Sequence, residues 1–185
     1  IQLLPERELL RMGEREAISY QYFSAYSFPP FNILTFVFPF FFGGATLPQA
    51  EVPYWGKWTI DETCGYFGLM TLLLALVALF GARRRSLASF WGVVALVSLA
   101  LSLGDYLPFD LNRVLYGLPI YKLFRASGRH MYEFTFSLAM LGGLGASYIA
   151  RSGSDATNRA IRRGAILFAA IVAMTVVIYR FISLY

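Results

Sequence analysis

The segment KLFRASGRHMYEF, residues 122–134, sets Lys122, Arg125, Arg129 and the only histidine, His130, directly before a long apolar run that carries Glu133. A guanidinium stays charged at physiological pH and grips phosphate oxygens in a two-pronged fork. Arg125 and Arg129 at a membrane boundary therefore suit a lipid phosphate headgroup. If residues 125–133 are helical, Arg125, Arg129 and Glu133 fall one turn apart on one face, with Arg129 pairing to Glu133 and Arg125 left for a ligand. Plain anchoring explains the same charges, because long cationic side chains at a span end reach back to the interface. Glu133 tilts the choice toward a site, since a carboxylate in an apolar run needs a partner. His130 is either a proton shuttle or an interfacial polar residue.

Five acids, Glu51, Asp61, Glu62, Asp105 and Asp110, are placed close to the same boundary by the span assignment below. Any of them becomes a general base toward an acceptor hydroxyl if burial raises its pKa, and no spacing singles one out. Arg7, Arg11 and Arg15 form a second basic row at helical spacing, offset by Glu8, Glu14 and Glu16. A solvated or interfacial face accounts for that row, with headgroup binding as the alternative. Cys64 is the only cysteine, which excludes an internal disulfide and a cysteine metal site. The chain contains no Walker loop, nucleophile elbow or HExxH motif, so no cofactor or metal is evident from its residues.

The elements that must position these groups are membrane helices. Of the 185 residues 57% are hydrophobic and only 15% charged, with a mean hydropathy of +0.56. A soluble domain is nearer 45–50% apolar and ~25% charged. The net charge of +5 forms no basic stripe interleaved with exposed aromatics, so nucleic acid is not an expected partner. Four runs approach the ~20 apolar residues that a spanning helix needs: 64–82, 88–104, 131–150 and 164–182. Ser98 and Ser102 in the second can return their hydroxyls to the helix backbone. Backbone polar groups in lipid must be satisfied within the segment, so the expected fold is all-α, a multi-pass bundle of about four spans.

The connections 83–86 and 151–163 are rich in arginine with Asp155 as their one acid, whereas charge on the opposite side is nearly balanced. By the positive-inside rule the arginine-rich connections are cytoplasmic. Residues 1–63 then form an outer segment, followed by the bundle 64–185 with its outer loop 105–130. Within the first segment, Pro5 suits the opening turn of an amphipathic helix. The run PPFNILTFVFPFFFGG is too short to span, is broken by Pro39, and reads as interfacial or re-entrant. Gly142, Gly143, Gly145 and Ala146 give the third span a small-residue face for close helix contact, Gly142 and Ala146 having the small-xxx-small spacing.

The succession LPERELLRMGERE, FNILTFVFPFFFGG, YWGKWTIDETCGYFGLMTLLLAL, LSLGDYLPFDLNRVLYGLPIYKLFRASGRH and LAMLGGLGASY resembles the bacterial YfhO-like membrane proteins of the C-type (GT-C) glycosyltransferase superfamily. The most specific piece is Leu118-Pro119, then Phe124-Arg125 and Arg129, ahead of the Gly-rich span. The family often has a proline between the two arginines, where this chain reads Ala126, Ser127 and Gly128.

The resemblance implies a multi-pass protein of the bacterial cytoplasmic membrane that moves a sugar from a polyprenyl-phosphate carrier to an acceptor on the outer face. Arg125 and Arg129 would hold the carrier phosphate, supported by Lys122, His130 and Glu133, with Asp61, Glu62, Asp105 and Asp110 in the acceptor or base region. The partners implied are the lipid-linked sugar, membrane lipids and the remaining transmembrane helices of a longer protein. Such enzymes generally carry their catalytic acid in the first outer loop, so this chain is expected to be an internal slice without its own. Some members of the superfamily use a divalent metal, which leaves one open for the full-length protein. The competing expectation is a non-catalytic module of a lipid flippase or transporter.

Overall fold

The computed structural model describes residues 19–44, 46–47, 50–81, 85–107, 111–118, 121, 127–151 and 155–182. The basic row Arg7, Arg11 and Arg15 and the candidates Asp110, Lys122 and Arg125 lie outside the described residues.

The architecture is helical, as expected from the composition. A short helix α1 (Tyr20–Ser24) leads into a 3-10 helix Pro30–Phe36, which begins on a proline with no N–H to lose. This apolar segment does not span. It turns Leu34, Thr35 and Phe36 inward and leaves Phe31, Ile33 and Phe40 outside. Two residues each of β1 (Thr46–Leu47) and β2 (Ala50–Glu51) pair antiparallel, the one departure from an all-α chain among the described residues. Then follow α2 (Ile60–Thr63), α3 (Leu69–Gly81), α4 (Arg85–Leu103), α5 (Leu111–Tyr116), α6 (Met131–Arg151) and α7 (Asp155–Ile182).

Two of these are long and apolar enough to cross a membrane, through the windows Ser86–Tyr106 and Thr157–Ile178. The other two expected spans differ from the sequence reading. The helix of the first, α3, starts at Leu69 rather than residue 64 and has 13 residues. At ~1.5 Å per residue it covers about 20 Å, short of a hydrocarbon core of ~30 Å. Its late start follows from the backbone: Cys64 is extended and Gly68 sits at φ +92°, so the apolar run 64–68 is not helical. The third, α6, has the expected bounds within a residue but is the buried centre of the bundle. The fourth begins nine residues early, at Asp155, which puts Arg159, Arg162 and Arg163 on the helix itself.

Small residues decide how the helices meet. Gly142 and Gly145 of α6 face Thr71 and Leu74 of α3, and a Cβ on Gly145 would run into the Leu74 carbonyl. Gly143 meets nothing within 4 Å and Ala146 is exposed, so the contact pair is Gly142 with Gly145 rather than Gly142 with Ala146. On its other side α3 receives Gly164 of α7 against Val77. The neighbours therefore run α4, α6, α3, α7. At the N-terminal end of α6, Phe36 stacks between Phe28 and Phe134, with Phe67 tilted against the group. These rings join Ala75, Ala78, Ala95, Leu138 and Leu141 in the main core. Ser102 returns its hydroxyl to the Leu99 carbonyl at 2.7 Å, as its position in an apolar helix leads one to expect.

Candidate functional site

A single 3-10 turn, Ser127–His130, carries the described half of the cationic cluster and leads without a break into α6. Its position is fixed from below. The Gly128 N–H donates to the Tyr26 carbonyl at 3.1 Å, and a Cβ at Gly128 would collide with that same carbonyl. Ser127 shares a hydrogen bond with Ser27 at 3.0 Å. Asn112, fully buried, reaches Ser27 at 3.3 Å, Ser127 at 3.4 Å and the Asp105 carboxylate at 2.9 Å. A buried network of this kind holds the turn rigidly against α5 and the end of α4.

The turn points its two ionisable side chains at different partners. Arg129 pairs with Glu62 at 3.2 Å, a contact between residues 67 apart in the chain. The hydrogen bond to Glu62 and its charge hold the Arg129 guanidinium above its ordinary range. The expected Arg129 pairing with Glu133 does not form. Residues 127–130 wind as a 3-10 helix of about three residues per turn, which rotates Arg129 away from the face that Glu133 takes on α6. Glu133 instead lies 3.5 Å from Nδ1 of His130, and Nε2 of His130 is hydrogen-bonded to the Tyr121 hydroxyl. Glu133 is more than half exposed, so it is a rim carboxylate rather than a charge inside the apolar run. Burial, and secondarily the charge of Glu133, push the Tyr121 phenol above its usual pKa.

Asp61, Glu62, Asp105 and Glu133 separate clearly. Helix α2 carries Asp61 and Glu62, and it is anchored by Thr63, which bonds to the Thr59 carbonyl at 2.7 Å and to the Tyr54 hydroxyl at 2.8 Å. Asn32 adds a bond to the Thr63 carbonyl at 3.2 Å. Asp105 is occupied elsewhere, accepting from Tyr20 at 3.0 Å and from Asn112. It is a structural acceptor in this arrangement. Glu133 belongs to the histidine.

Between α2 and α6 lies a groove of about 450 Å³. Asp61, Glu62 and Arg129 form its polar end. Met131, Tyr132, Thr135, Phe136 and Ala139 continue it along one face of α6, opposite Cys64 and Tyr66. The stride 132, 135, 136, 139 is the helical period, so the groove follows α6 for about two turns from the charged end. An occupant matching this gradient has a polar, hydrogen-bonding head and an apolar chain.

The sequence brought forward Arg129, His130, Glu133, Asp61 and Glu62, and the structure gathers them around one turn in two separate sets. Tyr121, Tyr66 and Tyr132 were missed. Tyr132 was detectable as the first member of the apolar stride, whereas Tyr121 and Tyr66 reach their places only through tertiary folding. Among the described residues, no group of three or more His, Cys, Asp or Glu could hold a metal ion. No family model, curated protein or solved structure matches the chain.

Proposed function

We propose that this chain is a segment of a membrane glycosyltransferase that takes a sugar from a polyprenyl-phosphate carrier and passes it to an acceptor on the outer face of the bacterial cytoplasmic membrane. The groove receives the carrier. Its polarity gradient is the observation that supports this reading most: Arg129, beside the Asp61 and Glu62 carboxylates, offers guanidinium donors to a phosphate, and the α6 face next to it suits an isoprenoid chain. Arg129 has five N–H donors, and one contact to Glu62 leaves others for phosphate oxygens. As the carrier phosphate leaves the sugar it gains charge, which a positioned guanidinium stabilises. Arg125 is the second phosphate ligand in this reading.

The bundle makes four passes, α3, α4, α6 and α7. Only 28% and 11% of the two apolar windows are buried, which is unlike the core helix of a soluble protein. The short α3 is walled by α6 and α7. The arginine-rich ends of α6 and α7 face the cytoplasm.

The test is sugar transfer from a radiolabelled polyprenyl-phosphate sugar by the full-length protein in proteoliposomes. Arg129→Ala is expected to lower transfer roughly 100-fold, the usual loss for one charge-stabilising group, with membrane insertion unchanged. Wild-type transfer by this variant would remove Arg129 from the mechanism. Movement of carrier across the bilayer with no transfer by the wild type would favour the non-catalytic lipid-handling module.

A further inference from the structure

We infer that the first turns of α7 bind the headgroup of an anionic phospholipid in the cytoplasmic leaflet, through Arg159, Arg162 and Arg163. The inference uses the membrane placement of α7 given above and is independent of sugar transfer.

The three arginines stand on a rigid element rather than in a loop. Helix α7 runs from Asp155 to Ile182 without a break, 28 residues, or about 42 Å at ~1.5 Å per residue. A hydrocarbon core takes up ~30 Å of such a helix, and the apolar part from Gly164 onward supplies it. The turns before Gly164 therefore stand in the headgroup layer, about 5–8 Å deep on each side of the core. Counted back from Gly164, Arg163 lies ~1.5 Å and Arg159 ~7.5 Å along the axis, so the three cross that layer.

The inner face of these turns fixes where the arginines point. Thr157, Ala160 and Gly164 are buried, and Gly164 closes on Val77 of α3. Ala160 of α7 and Tyr148 of α6 converge on Gly81, where an added Cβ would meet both of them. Arg159, Arg162 and Arg163 are all exposed, and among the described residues none of them has a hydrogen bond or an ion pair. Each guanidinium keeps its five N–H donors for a ligand. Asp155 is the only acid on the helix.

The surface that follows the charges matches a lipid. Arg159, Arg163, Ile166, Ala170, Met174 and Val177 advance by three or four positions at each step, so they form one stripe along α7, and every one is exposed. Charge gives way to aliphatic surface at the level where a headgroup gives way to its acyl chains. A phosphate diester suits the guanidinium fork, and a lipid of net negative charge is favoured over a zwitterionic one, whose ammonium the arginines repel. Arginines that merely snorkel make no such distinction.

The experiment places the full-length protein in phosphatidylcholine proteoliposomes and measures, by electron spin resonance, how strongly spin-labelled phosphatidylglycerol associates with it relative to spin-labelled phosphatidylcholine. Both leaflets carry the same lipid, so the comparison holds for either orientation of the protein. The wild type is expected to prefer phosphatidylglycerol about fivefold or more, the effect of roughly one arginine near an anionic surface. That preference should fall at ~1 M salt, where screening acts beyond ~3 Å. The triple variant Arg159→Gln, Arg162→Gln, Arg163→Gln is expected to lose it, with thermal unfolding in phosphatidylcholine unchanged. The charge-preserving triple Arg159→Lys, Arg162→Lys, Arg163→Lys is expected to keep it. Equal association of the two lipids with the wild type overturns the inference, as does a preference that salt or the glutamine triple leaves intact. Displacement of the labelled lipid by soluble glycerol phosphate would assign the arginines to a soluble phosphate and overturn the lipid site.

Discussion

Helices α6 and α7 are both long, both apolar, and joined by a short connection, yet the fold uses them in opposite ways. Helix α6 buries Met131, Phe134, Ser137, Leu138, Leu141, Gly142 and Gly145 between two neighbours. Helix α7 keeps Ile166, Met174, Val177 and Phe181 outside and meets α3 through small residues such as Ala160 and Gly164. In water the larger apolar side chains would be turned inward. Here the large ones on α7 face out, as they do when the surroundings are lipid and contact between helices depends on close approach rather than on hydrophobic burial. The groove and the His130–Glu133 contact both sit at the N-terminal end of α6.

This contrast can be broken by substitution, read as thermal unfolding in lipid nanodiscs. The largest effect is expected at Phe134→Ala, which empties the aromatic stack over the α6 head and costs about 3–5 kcal/mol. Gly145→Leu comes next, at about 1–3 kcal/mol, because the new side chain must push the Leu74 backbone of α3 away. Glu62→Gln leaves the partly exposed Arg129 without its ion pair and should cost less than about 1 kcal/mol. Val177→Ala on the outward face of α7 is expected to change stability by less than about 0.5 kcal/mol. A cost at Val177 equal to that at Phe134 would mean that α7 is covered by protein, and the contrast would fail.

Much of this was legible in the residues. The uniform apolar runs gave α4, α6 and α7, because a segment that must satisfy its own backbone in lipid has few other forms. The failure at α3 has a local cause: hydropathy counts Gly65 and Gly68 as compatible with a span, while the backbone at Gly68 adopts a left-handed conformation that ends any helix there. The cluster at residues 125–133 was read as a candidate site, and one pairing within it, Arg129 with Glu133, was misread. Assuming a continuous helix placed Arg129 over Glu133, and the 3-10 turn changes that phase. The true partner, Glu62, is brought in by tertiary folding across 67 residues, and no local pattern encodes such a contact. The same holds for Tyr121, which lies nine positions before His130 in the chain.

The most direct test of the central claim, that the groove on α6 takes a polyprenyl phosphate, is photo-crosslinking with a polyprenyl phosphate that carries a diazirine in its isoprenoid chain, followed by peptide mapping. The account predicts labels at Tyr132, Phe136 and Ala139 that are lost when unlabelled polyprenyl phosphate is added and weakened in Arg129→Ala. Labels spread along the outward face of α7, at Ile166, Met174 and Val177, and indifferent to competitor would contradict it, leaving the groove without its carrier.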